Sequence, residues 1–94
     1  MPGLVCLYAV AHGRVQGVNF RDFTLRWART MSLTGYVRNL PNGRSVEVWA
    51  EGERGHLEQL LEHIKVGPGR ARVDRVDVKW SDYAGNFKAF EMRF

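Results

Sequence analysis

Leu4 to Ala11, LVCLYAVA, is an apolar run of β-branched, aromatic and small residues that halts at Gly13. A run that short, closed by glycine, predicts a buried strand. Between Phe20 and Ser32 the period changes: Phe20, Phe23, Trp27, Ala28 and Met31 follow helical spacing and predict a first helix with one stripe against a sheet. TGYVRN, at 34–39, reads as a second strand. The LPNGR after it carries tight-turn chemistry in Pro41 and Asn42-Gly43, so SVEVWAEG, at 45–52, is its hairpin partner. There Val46, Val48 and Ala50 alternate with Glu47, Trp49 and Glu51, which predicts one buried face and one partly wet face.

Leu57, Leu60, Leu61 and Ile64 share one face of a second helix, which stops at Gly67-Pro68-Gly69. Val76, Val78 and Trp80 alternate with charged neighbours as a fourth strand, and Phe90, Met92 and Phe94 supply a short fifth. The order is βαββαβ plus that fifth strand. It predicts an α+β sandwich of the split-βαβ type, with two helices on one face of a mainly antiparallel sheet.

Ninety-four residues enclose one hydrophobic core, so residues 1–94 are expected to form a single domain, with monomer as the default state. No stretch approaches the ~20 apolar residues of a membrane-spanning helix, so a soluble chain with no membrane partner is expected. The opening MPGLVCLYAV has no basic leader and reads as a strand instead of a signal peptide. The single cysteine, Cys6, has no internal partner, and the two features together point to the cytoplasm. A net charge of +4 favours anionic partners, but the basic residues are spread along the chain. Charge alone leaves small phosphorylated molecules and nucleic acid both open.

Topology narrows this choice. The right-handed crossover rule makes the first two strands parallel, and the split arrangement puts the third between them, so their ends lie about 10 Å apart on one edge. At that edge the first strand delivers the loop from Gly13 to Asn19, then Arg21 in the first helical turn. The second strand delivers Asn39. A two-glycine loop lets successive N–H groups turn inward, and the helix amino end adds partial positive charge; both favour an anion. The Arg21 guanidinium matches phosphate oxygens in pairs, and a cation at that helix position opposes the dipole by ~0.3–1 kcal/mol unless an anion is near. Asn39 stays neutral, with one acceptor and two donors.

GRVQGVNFR at 13–21, followed by TGYVRNLPNG at 34–43 and VEVWAEG at 46–52, resembles the acylphosphatase family over nearly the whole chain. The resemblance implies a ferredoxin-like sandwich and hydrolysis of acyl phosphates to a carboxylate and inorganic phosphate, with no metal or organic cofactor. Inorganic phosphate would be both product and competitive inhibitor. By the same resemblance Arg21 binds the phosphoryl group and Asn39 positions the attacking water. The loop residues Gly13, Arg14, Val15, Gln16, Gly17 and Val18 cradle the phosphate through their N–H groups, and Thr24 supports the site from behind.

This chemistry explains why the loop holds no nucleophile. An acyl phosphate departs as a carboxylate of conjugate-acid pKa near ~4, which needs no general acid. Transfer through a loose, metaphosphate-like transition state asks for charge stabilisation and an in-line water. A cysteine phosphatase would carry its thiolate a few residues before the arginine, whereas Cys6 lies mid-strand.

Plainer readings apply elsewhere. Arg14 reads as a solvated loop charge, Gln16 as a loop brace, and Thr24 taken alone as an exposed or back-bonding helix hydroxyl. His12, His56 and His63 lack zinc spacing; the first reads as a strand end and the others as the wet face of the second helix. The aromatics, Phe94 among them, read as core or sheet cover. The rival function is a small basic RNA-recognition-like module on the same topology, but RSVEVWAEG brings two glutamates where stacking aromatics are needed, so no nucleic-acid partner is expected.

Overall fold

The computed structural model describes residues 3–94. Seven elements follow in the order β1 (Leu4–Arg14), α1 (Phe20–Thr30), β2 (Thr34–Asn39), β3 (Ser45–Glu53), α2 (Arg54–Val66), β4 (Arg72–Asp82) and β5 (Phe90–Arg93). The sheet order is β4-β1-β3-β2-β5. β3 is antiparallel to both β1 and β2, so those two run parallel with β3 between them, and β5 adds beside β2 in parallel. Two helices on a mixed five-stranded sheet make a ferredoxin-like α+β fold.

The core lies between sheet and helices. Alternate residues Leu7, Ala9 and Ala11 of β1 meet Val46, Val48 and Ala50 of β3 and Val37 of β2, under Leu57, Leu60, Leu61 and Ile64 of α2. Small residues in the central strands let the helices approach closely, and their burial against leucine and isoleucine supplies the main folding force.

Three features depart from the sequence expectation. β1 continues past Gly13 to Arg14, with a register shift between His12 and Gly13. A side chain at Gly13, where φ is 133°, would run into the Arg72 carbonyl, so glycine permits the irregular pairing that carries the strand into the loop. The buried stripe of α1 is Phe20, Thr24 and Ala28, while Trp27 stays 38% exposed. Thr24 fits inside because its hydroxyl donates to the Phe20 carbonyl at 2.9 Å.

The outer face of β3, expected to be partly wet, is drier than its glutamates suggest, with Trp49 half-buried. Glu47 and Glu51 are both buried. Glu51 accepts the N–H groups of Ala84 and Gly85 at 2.9 and 3.1 Å, which ties the β4–β5 connection across that end of the sheet. Among the described residues no helix is long and apolar enough to cross a membrane.

Candidate active site

Val46 pairs with Ala11 of β1 on one side and Asn39 of β2 on the other, so β1 and β2 deliver their ends to one edge of the sheet. Between β1 and α1 the backbone turns through left-handed positions at Gly17, φ 73°, and Asn19, φ 64°. Left-handed residues set among right-handed ones aim successive N–H groups into one concavity. Asn19 caps α1 without a side-chain hydrogen bond, and the first helical bond runs from Phe23 N–H to the Asn19 carbonyl at 3.0 Å. Among the described residues, no protein acceptor takes the N–H groups of Val15 through Asp22.

Most of these residues border a cavity of about 260 Å³, lined by Val15, Gly17, Asn19, Phe20, Arg21, Asp22, Asn39 and Met92. Arg21 and Asn39 therefore meet at one hollow. The Arg21 guanidinium donates Nη1 to the Arg93 carbonyl at 3.1 Å and lies 4.7 Å above the Phe94 ring. β5 thus holds it with one donor spent and the rest of its fork uncommitted. Asp22, the carboxylate in the wall, is engaged by Arg26 at 3.1 Å.

The other expected site residues divide. Gly13 lies outside the cavity wall, and its N–H is already given to the Arg44 carbonyl at 3.0 Å. Thr24 is buried behind Phe20 and does not reach the hollow. Arg14, Gln16 and Val18 do not line this cavity and border two neighbouring hollows instead. Gln16 braces the loop, donating Nε2 to the carbonyls of Leu40 at 2.8 Å and Ser45 at 3.0 Å. The sequence places Met92 only in the fifth strand, and its position in the wall follows from β5 pairing beside β2.

The histidines lie elsewhere. His12 bridges Ser45 Oγ through Nδ1 and Asp77 through Nε2, both at 2.8 Å. This serine is buried and also accepts from Asn42 at 2.9 Å, so the string braces β1 against its neighbours and offers no nucleophile. His63, expected on a wet face, stacks on Trp27 with centroids 3.6 Å apart. Phe94 is 94% exposed and serves as a floor for Arg21 instead of core. Burial raises the Cys6 thiol above its ordinary range, which keeps it unreactive. Among the described residues no three His, Cys, Asp or Glu side chains converge as they would around a metal ion.

A sheet edge that gathers unpaired amides and a guanidinium is an anion-binding arrangement, here built on a ferredoxin-like α+β scaffold. Likeness to known proteins extends along nearly the whole chain. A family model described as acylphosphatase matches residues 7–92, and the chain belongs to the acylphosphatase family. It is 49% identical to the acylphosphatase of Acaryochloris marina, over 98% of this chain and 97% of that one. Identity to the acylphosphatase of Thermus thermophilus is 51%, over 90% and 92% of the two chains. The crystal structure of acylphosphatase from Bacillus subtilis superposes with a TM-score of 0.90 at 32% identity, covering 96% of this chain and 99% of that one.

Proposed function

We propose that this protein hydrolyses acyl phosphates to a carboxylate and inorganic phosphate, with Arg21 holding the phosphoryl group and Asn39 orienting the attacking water. One observation carries the reading: Arg21, Asn39 and loop N–H groups without protein acceptors line a single cavity of about 260 Å³. Its membership of the acylphosphatase family supports the choice of substrate.

The chemistry follows from that geometry. Arg21 and the amides of the loop and first helical turn take the equatorial phosphoryl oxygens, where charge accumulates in a loose transition state. Asn39 enters from the other strand, accepts a hydrogen bond from a water through its carbonyl and aims the water oxygen at phosphorus. As the new O–P bond forms, the acyl O–P bond breaks and its electron pair leaves on the carboxylate. With Asp22 engaged by Arg26, the water's proton passes to a phosphoryl oxygen. Gly13 and Thr24 act through the backbone around the site.

Benzoyl phosphate turnover tests the assignment. Arg21→Ala is expected to lower kcat/KM by about a thousandfold, and Arg21→Lys to lose most phosphate affinity because an ammonium lacks the two-pronged contact. Asn39→Ala should lower kcat while leaving inhibition by inorganic phosphate near its wild-type strength. Equal turnover by wild type and Arg21→Ala would overturn the site. Salt-sensitive binding to single-stranded RNA with no acyl phosphate turnover would favour the nucleic-acid module instead.

A further inference from the structure

Most arginines in this chain have partners. Arg26, Arg38, Arg54, Arg72, Arg75 and Arg93 each pair with a carboxylate within 4.0 Å. Arg29 donates twice to the Phe90 carbonyl. Among the described residues, Arg14, Arg21, Arg44 and Arg70 have no carboxylate within that distance, and all four border the loop between β1 and α1. Arg14 and Arg70, with Gly17 and Val18, line a hollow of about 370 Å³. It shares Gly17 with the inner cavity, and nothing lies within 4 Å of the place a side chain would occupy there.

The position of Arg70 is built into the fold. The turn from α2 to β4 is closed by Gly67 N–H to the His63 carbonyl at 2.8 Å and by Ala71 N–H to the Pro68 carbonyl at 2.9 Å. Gly67 sits so close to the first residue of α1 that a Cβ there would stand 3.0 Å from the Phe20 ring. Two like charges are therefore held at one hollow with no acid between them. Such an arrangement is unfavourable alone and becomes favourable when an anion enters.

We infer that Arg14 and Arg70 form a second anion subsite, selecting acyl phosphates whose acyl portion carries its own carboxylate or phosphate. The inference rests on the hydrolase reading above. The reacting phosphoryl group occupies the inner cavity, the acyl chain passes over Gly17, and its distal anion meets the two guanidinium groups.

Three substrates test it: benzoyl phosphate, 4-carboxybenzoyl phosphate and 4-(phosphonooxy)benzoyl phosphate. Wild type should show KM values about five- to tenfold lower for the two substrates with a distal anion, a preference erased near 1 M salt, where the screening length is ~3 Å. The ratio between those two identifies carboxylate or phosphate as the preferred group. With Arg14 still in place, Arg70→Gln should reduce the preference to about two- to threefold and Arg70→Glu should erase it, with kcat/KM for benzoyl phosphate unchanged in Arg70→Gln. Equal KM for all three substrates in wild type, or a preference surviving in Arg70→Glu, would overturn the subsite alone. No turnover of any of them would overturn the hydrolase reading, and this inference with it.

Discussion

One polar region lies in the middle of β3 and another at its start, and they are built on opposite principles. In the middle of the helix-free face, Glu47 accepts Tyr8 Oη at 2.7 Å, Tyr36 Oη at 2.9 Å and Arg38 Nε at 2.8 Å. Arg93 covers the Tyr36 ring, and Tyr8 meets Trp49 edge-on, so donors and acceptor are closed in together. Two residues earlier β3 begins at Ser45, beside the loop where, among the described residues, the N–H groups of Val15 through Asp22 have no protein acceptor and the bordering arginines have no carboxylate partner. A satisfied cluster stabilises the fold and has nothing left to offer a ligand. An unsatisfied one contributes little to folding and leaves its donors for whatever anion arrives.

A crossed pair of substitutions would break that contrast most sharply. Arg21→Ala, expected to remove about a thousandfold of turnover, should leave the free energy of unfolding within ~1 kcal/mol of wild type, because it also removes a cation from a helix amino end. Glu47→Ala should do the reverse. It leaves two hydroxyls and a guanidinium without their acceptor and should cost about 2–3 kcal/mol in urea unfolding, with kcat on benzoyl phosphate held within about twofold for the folded fraction. If Arg21→Ala unfolded the protein or Glu47→Ala stopped catalysis, the separation of roles would fail.

Gln16 tests the boundary, since its polar group is spent internally in order to hold the open region. Its carboxamide joins the loop to the carbonyls of Leu40 and Ser45, on the hairpin that carries Asn39. Gln16→Ala is expected to cost about 1 kcal/mol of stability and to lower kcat about tenfold, with a smaller change in inhibition by phosphate. The reason is that loop and asparagine lose their common brace while each survives. A loss confined to phosphate binding would mean that the loop alone depends on it.

How much of this was legible in the sequence depends on whether a feature is local. Alternation in Val46, Val48 and Ala50, the helical spacing of Leu57 to Ile64 and the Asn42-Gly43 turn are properties of a few neighbouring residues, and the elements they predict are present. The common edge of β1 and β2 followed from crossover handedness, so Arg21 and Asn39 could be set near one another before any coordinates. What escaped depends on distant partners. The alternation around Glu47 predicts a partly wet face because Tyr8 is 39 residues away and nothing near Glu47 announces it. Nothing local marks Arg70, since Gly67-Pro68-Gly69 reads as a helix stop and only the packing of that turn on Phe20 brings it to the loop. Gly13 was counted with the loop since no local signal shows that its N–H belongs to the Arg44 carbonyl.

The smallest expected effect is a titration, and it too separates the two regions. Burial, then the hydrogen bond to Glu47, pushes Tyr8 from 10.0 up to about 12, and the same causes raise Tyr36. A group whose folded pKa is raised contributes stability that is full below its unfolded value and lost as pH rises through the folded one, so the Tyr8 contribution should fade between pH 10.0 and about 12. Glu47 has the opposite sign. Burial alone would raise its carboxyl, but hydrogen bonds from Arg38, Tyr8 and Tyr36 outweigh burial and hold it below its ordinary 4.5. Its contribution is present above pH 4.5 and is lost as pH falls through the lower folded value. Tyrosinate absorbance should therefore show a late phase near pH 12 that disappears in Tyr8→Phe, while Arg21→Ala leaves that phase in place. A late phase that survived in Tyr8→Phe would mean that the closed cluster is not what holds the proton. A phase displaced by Arg21→Ala would mean that the two regions are electrically coupled across the sheet edge.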